Sequence, residues 1–178
     1  MGNEGKTPEN AGNGVTLPPA EKGRRMKRVL FVCTGNTCRS PMAEKCFDAA
    51  AKDTPWRASS AGLNAAEGTP MSADARTALA ECGIDGGAFA SRMVTGTMVE
   101  DCQLILTMSR AHQAELCRRY PQAAGKCHTV MELAGGGGVS DPFGMGIAAY
   151  RRALAEIRDG VTAWLNFLNG NDDKNQQG

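Results

Sequence analysis

Residues Val29–Glu44 read VLFVCTGNTCRSPMAE, an apolar run that leads straight into Cys33 and then, five residues on, into Arg39, Ser40 and Pro41. No other stretch constrains the fold as strongly. A buried strand must turn through Thr34, Gly35, Asn36, Thr37 and Cys38 and hand over at once to a proline-opened helix. A strand–loop–helix of this kind aims backbone N–H groups, and the positive end of the helix dipole, into the loop. That concavity suits a tetrahedral oxyanion, with Cys33 as a sulfur nucleophile beneath it. Arg39 adds a planar donor fork able to clamp two oxygens, and Gly35 lets the main chain turn tightly and approach the anion. Taken alone, Cys33 reads equally as a buried core cysteine at a strand end. The ordered strand, C-x5-R-S loop and proline-opened helix favour phosphoryl chemistry instead.

From about Met26 to Leu168 the chain resembles the low-molecular-weight protein tyrosine phosphatase family, and more narrowly its bacterial protein arginine phosphatases. The resemblance rests on the Cys33–Ser40 loop and on Asp141-Pro142-Phe143-Gly144, which is similar to the family's late general-acid loop. By itself a carboxylate–proline pair is an ordinary turn signal. The resemblance implies that Cys33 attacks phosphorus to give a phosphocysteine intermediate and that Asp141 serves as general acid. It implies a phosphate cradle of Thr34, Gly35, Asn36, Thr37, Cys38, Arg39 and Ser40, with Ser40 donating to the thiolate. Asn36 would brace the loop backbone, helped by its tolerance of left-handed φ. Neither a metal nor another cofactor is implied, and the partners are phosphorylated protein substrates.

Within the family, members acting on phosphoarginine carry threonine at the position of Thr37, and phosphotyrosine members commonly carry a bulkier aliphatic residue. A smaller wall suits a narrow guanidinium stem, and a larger apolar one suits a ring. Phe143 stands where the arginine phosphatases have Phe and many tyrosine phosphatases have Tyr, and Ser59–Met71 contains no aromatic residue. Phosphoarginine is therefore the expected substrate, with phosphotyrosine as the alternative. Arsenate reduction would need a relay of thiols, yet after Cys82 no cysteine follows for nineteen residues. A binding module without turnover would need neither Cys33 nor Asp141.

The 178 residues suffice for one domain with a real core. A formal net charge of +1 offers no global field for nucleic acid. No apolar run reaches the ~20 residues of a membrane span, and no signal-peptide apolar region is present. Seven cysteines at irregular spacings argue against a disulfide scaffold and for a reducing, cytoplasmic setting. Cys38 is either loop filler or a resolving thiol for oxidised Cys33. His112 and His128 read as structural or solvated, and no zinc pattern is present.

Residues 1–25 and 169–178 are polar and aperiodic and are expected to be disordered around a domain at 26–168. The basic cluster Lys22, Arg24, Arg25, Lys27 and Arg28 reads as a solvated lead-in to the first strand. Between the tails, strand and helix signals alternate. Strands are expected at Arg28–Val32, Arg57–Ala61, Cys102–Met108 and Cys127–Met131. Helices are expected at Pro41–Lys52, from a Ser72 cap to Cys82, at Ser109–Arg119 and at Ile147–Leu168. The pattern predicts an α/β fold, a doubly wound parallel sheet. The resemblance makes it four-stranded, with helices on both faces and the phosphate loop after the first strand.

Overall fold

A computed structural model of the chain describes Val15 and residues 26–176. The expectation of disorder at residues 1–25 therefore falls, Val15 apart, outside the described residues. Four strands, β1 (Lys27–Cys33), β2 (Trp56–Gly62), β3 (Leu104–Thr107) and β4 (Cys127–Thr129), form one parallel sheet in the order β2-β1-β3-β4. Five helices accompany them: α1 (Arg39–Ala50), α2 (Ala73–Glu81), α3 (Gly96–Asp101), α4 (Arg110–Arg119) and α5 (Ile147–Gln176). The expected α/β architecture is thus present.

The pleat divides the core into two layers. Phe31, Leu104 and Leu106 face one side, where they meet Met42 and Phe47 of α1 and Leu154, Ile157 and Trp164 of α5. Leu30, Val32 and Ile105 face the other, against Val99 of α3 and Leu116 of α4. Because both faces are covered, Val29–Val32 is buried without interruption, as an interior parallel strand requires. The central pairing Val32↔Thr107 and Cys33↔Gly62 carries the C-terminal ends of β1, β2 and β3 to one edge of the sheet, where the loop of interest begins.

Two local differences from the sequence reading have physical reasons. Cys102 and Gln103 do not belong to β3, because Thr95 caps a short helix by accepting from Met98 N and Cys102 ends it. That helix buries only Val99, too little to leave a periodic signal. Ser72 does cap α2, accepting from Ala75 N. The polar tail expected from residue 169 continues α5 to Gln176. Its hold is polar: Asp172 accepts from the Trp56 indole N–H at 3.1 Å and pairs with Lys27, at the start of β2 and β1. Hydrophobic periodicity cannot register such contacts.

Gly160 lies at the closest approach of α5 to the end of the sheet. A Cβ there would stand 2.5 Å from the Val130 carbonyl oxygen, which also accepts the Trp164 indole N–H at 3.1 Å. Gly160→Ala is expected to destabilise the fold by about 1–3 kcal/mol, because the overpacking exceeds the ~1 kcal/mol that alanine gains in a helix. Urea denaturation would measure this; a more stable variant would mean that α5 does not approach Val130 so closely.

Candidate active site

The loop between β1 and α1 curls around the Cys33 sulfur. Sγ lies 2.9 Å from Ser40 Oγ and accepts the Asn36 backbone N–H at 3.3 Å. The backbone N–H groups of Gly35, Thr37 and Cys38 donate to no other group among the described residues. A set of unpaired donors at the opening of α1 is suited to an oxyanion.

Asn36 explains why the chain holds this curl. It has φ of 54°, the left-handed region that asparagine tolerates, and is the one non-glycine residue with positive φ among those described. Its Nδ2 donates to Ser40 Oγ at 2.9 Å and to Ser60 Oγ at 3.0 Å, and its Oδ1 accepts from Arg92 N at 3.0 Å. Ser60 in turn donates to Glu44 at 2.5 Å. Gly35 needs no special φ, and a Cβ there would meet only Thr37 Oγ1 at 3.8 Å. The tight turn assigned to Gly35 from sequence is carried by Asn36 instead. The glycine that the loop does require is Gly62, whose Cβ would stand 2.6 Å from the Thr34 carbonyl oxygen and 3.0 Å from Asn36 N.

Arg39 and Asp141, remote in sequence, meet at 3.1 Å between Nη2 and Oδ2. The guanidinium is buried and also donates to the Val139 carbonyl at 3.3 Å, while the carboxylate is largely exposed. The segment before Asp141 is pinned: Gly138 bridges Ser109, and Val139 N donates to Met108 O at 2.8 Å. The run Gly135–Gly138 is therefore anchored to the end of β3 at its far side. Ser140 donates from both N and Oγ to Glu156 of α5. Phe143, whose N–H donates to Asp141 Oδ1 at 3.2 Å, and Met145 project into solvent on this loop, 75% and 66% exposed.

Cys38 turns away from Cys33's partners. Its Sγ lies 3.1 Å from Tyr150 Oη and within 3.6 Å of both Thr37 Oγ1 and Ser72 Oγ. Burial, followed by the Cys38 contact, pushes the Tyr150 hydroxyl up to about 12. All seven cysteines are free, and a Cys33–Cys38 bond would have to break both the Ser40 and the Tyr150 contacts.

His112, read from sequence as structural or solvated, lies at the loop. Nε2 is 2.8 Å from Thr34 Oγ1, and Nδ1 is 2.9 Å from Ser109 Oγ. Burial, aided by the nearby Arg39 charge and opposed by Asp141, pushes the ring down to about 4. His128 is structural, packed 5.3 Å from the Trp164 ring with Nδ1 3.3 Å from Glu132. Among the described residues no cluster of His, Cys, Asp and Glu could hold a metal ion. No helix among them is long and apolar enough to cross a membrane.

Residues 28–175 match the family described as Low molecular weight phosphotyrosine protein phosphatase. The protein-arginine-phosphatase of Geobacillus stearothermophilus is 38% identical over 133 residues, covering 73% of this chain and 88% of that one. The structure of the YwlE arginine phosphatase from the same organism superposes with a TM-score of 0.78 at 34% identity, covering 83% and 96% of the two chains. A low molecular weight protein tyrosine phosphatase from T. tengcongensis superposes with a TM-score of 0.76 at 39% identity, covering 79% and 98%. With a strand–loop–helix of this geometry around Cys33 and a match along nearly its whole described length, the chain belongs to the low-molecular-weight protein phosphatase family and is a cysteine-dependent phosphatase.

Proposed function

We propose that this enzyme removes the phosphoryl group from phosphoarginine side chains of proteins, with Cys33 as nucleophile and Asp141 as general acid and base. The observation that carries the reading is the cradle itself: Cys33 Sγ under Ser40 and Asn36, free loop N–H groups beside it, and the Arg39–Asp141 pair at the mouth. Similarity to protein-arginine-phosphatases supports the substrate, as does Thr37.

In the first step the Cys33 thiolate attacks phosphorus in line with the P–N bond. As that bond breaks, Asp141 gives its proton to the departing guanidine nitrogen, and the phosphoryl group stays on sulfur. The free loop N–H groups of Gly35, Thr37 and Cys38 and the Arg39 fork hold the three equatorial oxygens throughout, so the charge needs no mobile partner. In the second step Asp141 takes a proton from water, the water oxygen attacks phosphorus, and the S–P bond breaks. The sulfur leaves as a thiolate, steadied by the Ser40 hydroxyl 2.9 Å away. Phe143 supplies an exposed apolar wall beside Asp141 for the substrate stem. A reducing cytoplasm suits the free thiols, and neither the charge nor the site calls for nucleic acid.

Cys33→Ser is expected to abolish steady-state hydrolysis of an aryl phosphate, because the field that sustains a thiolate does not ionise a hydroxyl. Retention of a tenth of the wild-type rate would move the nucleophile elsewhere.

Asp141→Asn should slow poor leaving groups far more than activated aryl oxides, which depart with little protonation. Rates across a leaving-group series would test this, and a uniform loss would contradict the role.

Thr37→Ile should lower kcat/KM for phosphoarginine proteins while sparing or raising it for phosphotyrosine. A pocket change of this size is worth ~1–3 kcal/mol, or about 10–200-fold in discrimination. Both substrates should be compared at one pH, since the P–N bond is acid-labile. A wild-type preference for phosphotyrosine would replace the arginine reading with the tyrosine one.

A further inference from the structure

The reaction as derived leaves one side chain at the loop without a task. His112 stands at the start of α4 and reaches Thr34, the residue directly after the nucleophile, with a 2.8 Å contact. Its second nitrogen is engaged from behind. Ser109 Oγ lies 2.9 Å from Nδ1 and, as the cap of α4, accepts the His112 backbone N–H at 3.2 Å. With a lone pair used by the cap, the single hydroxyl hydrogen of Ser109 is available to Nδ1. A neutral ring that accepts at Nδ1 carries its hydrogen on Nε2, directed at Thr34 Oγ1. Thr34 is exposed at the mouth, and its side chain makes no other hydrogen bond among the described residues. Its carbonyl is tied to Asn64 N at 2.9 Å. The first residue of the loop is thus held on its backbone by the segment after β2 and on its side chain by the turn after β3.

The ring is suited to neutrality. It is partly buried, the Arg39 guanidinium opposes a second positive charge, and the Asp141 carboxylate only partly offsets this, so protonation is held down to about 4. A neutral donor does not compete with Arg39 for an anion.

We infer that His112 is a positioning residue of this phosphatase, a neutral Nε2–H donor that locks the Thr34 side chain and with it the opening of the phosphate loop. The inference rests on the assignment of the Cys33 loop as the phosphoryl site. A cradle of donors accelerates a reaction only when its members are fixed before the charge develops. Thr34 adjoins the sulfur, so its rotation would be felt by the free N–H of Gly35 next to it.

The test is a double-mutant cycle read in kcat on an aryl phosphate, with folding checked by circular dichroism. His112→Leu and Thr34→Val should each lower kcat about tenfold, the scale of one lost hydrogen bond. The double variant should lose no more than either single one, because both delete the same contact. His112→Gln, which keeps a neutral N–H donor near the Nε2 position, should recover most of kcat. Losses that multiply, a wild-type kcat in His112→Leu, or a Gln variant no better than Leu would each overturn the inference. If His112→Leu fails to fold, a wild-type kcat in Thr34→Val overturns it alone.

Acid sensitivity gives a readout independent of turnover. A ring whose protonation is depressed in the fold from 6.5 to about 4 takes up its proton in the unfolded chain first. The wild type should therefore lose stability as pH falls through that window. His112→Gln lacks this loss, so its melting temperature should rise relative to the wild type between pH 6.5 and 4. Equal acid sensitivity would overturn the neutral-donor assignment. An active Cys33→Ser enzyme would remove the phosphoryl reading itself, whereas an inactive one beside a fully active His112→Leu would remove only this inference.

Discussion

The site depends on one amide group. Asn36 holds a left-handed φ and uses both ends of its side chain, donating to Ser40 and Ser60 and accepting from Arg92. Those partners belong to α1, β2 and the loop before α3, so a single residue ties the curl to three separate parts of the fold. Its burial makes each bond matter, since an unpaired polar group there would carry the full cost of desolvation. Ser40 links the brace to the Cys33 sulfur, and Glu44 steadies Ser60 from the next turn of α1. A loop with several free N–H groups would otherwise relax to satisfy them. The brace is what keeps them available to a ligand.

The sheet supplies the platform for this brace. Parallel pairing brings the ends of β1, β2 and β3 to a common edge, so Cys33, Gly62 and the Ser109 turn arrive there together. Gly62 closes against the back of the loop where no side chain fits, and the Met108 carbonyl captures Val139 just before the Asp141 loop. Arg39 then links the two loops, donating to the Val139 carbonyl and pairing with Asp141.

Much of this was readable in the sequence because it is local. The apolar run before Cys33, the Ser72 cap and the apolar seam of α5 each declare themselves within a few residues, and they produced the right layers. The strand–loop–helix around Cys33 was legible for the same reason. Asp141 was legible only through resemblance, since an Asp-Pro pair carries no signal of its own. The braces were not legible. Arg92 contributes a backbone N–H, which any residue possesses, and Gly62 matters for an absent side chain. His112 sits on a helix whose exposed positions gave no reason to single it out, and its contact with Thr34 joins residues 78 positions apart in sequence. The last turns of α5 escaped notice because Asp172 holds them by a carboxylate and not by burial.

The order of elements along the chain also sets the order in which surfaces are covered during synthesis. α5 follows every other described element, yet it supplies Leu154, Ile157 and Trp164 to the layer over Phe31 and Phe47. Until it emerges from the ribosome, one face of the finished sheet has α1 and α2 but lacks its largest cover. Tyr150, the partner of Cys38, and Glu156, which holds Ser140, arrive on that same helix. The nascent protein thus has its Cys33 loop first and the cover of this sheet face last. A growing chain of this architecture exposes a sticky face for the whole interval between them, and escort by chaperones would serve it most over that interval.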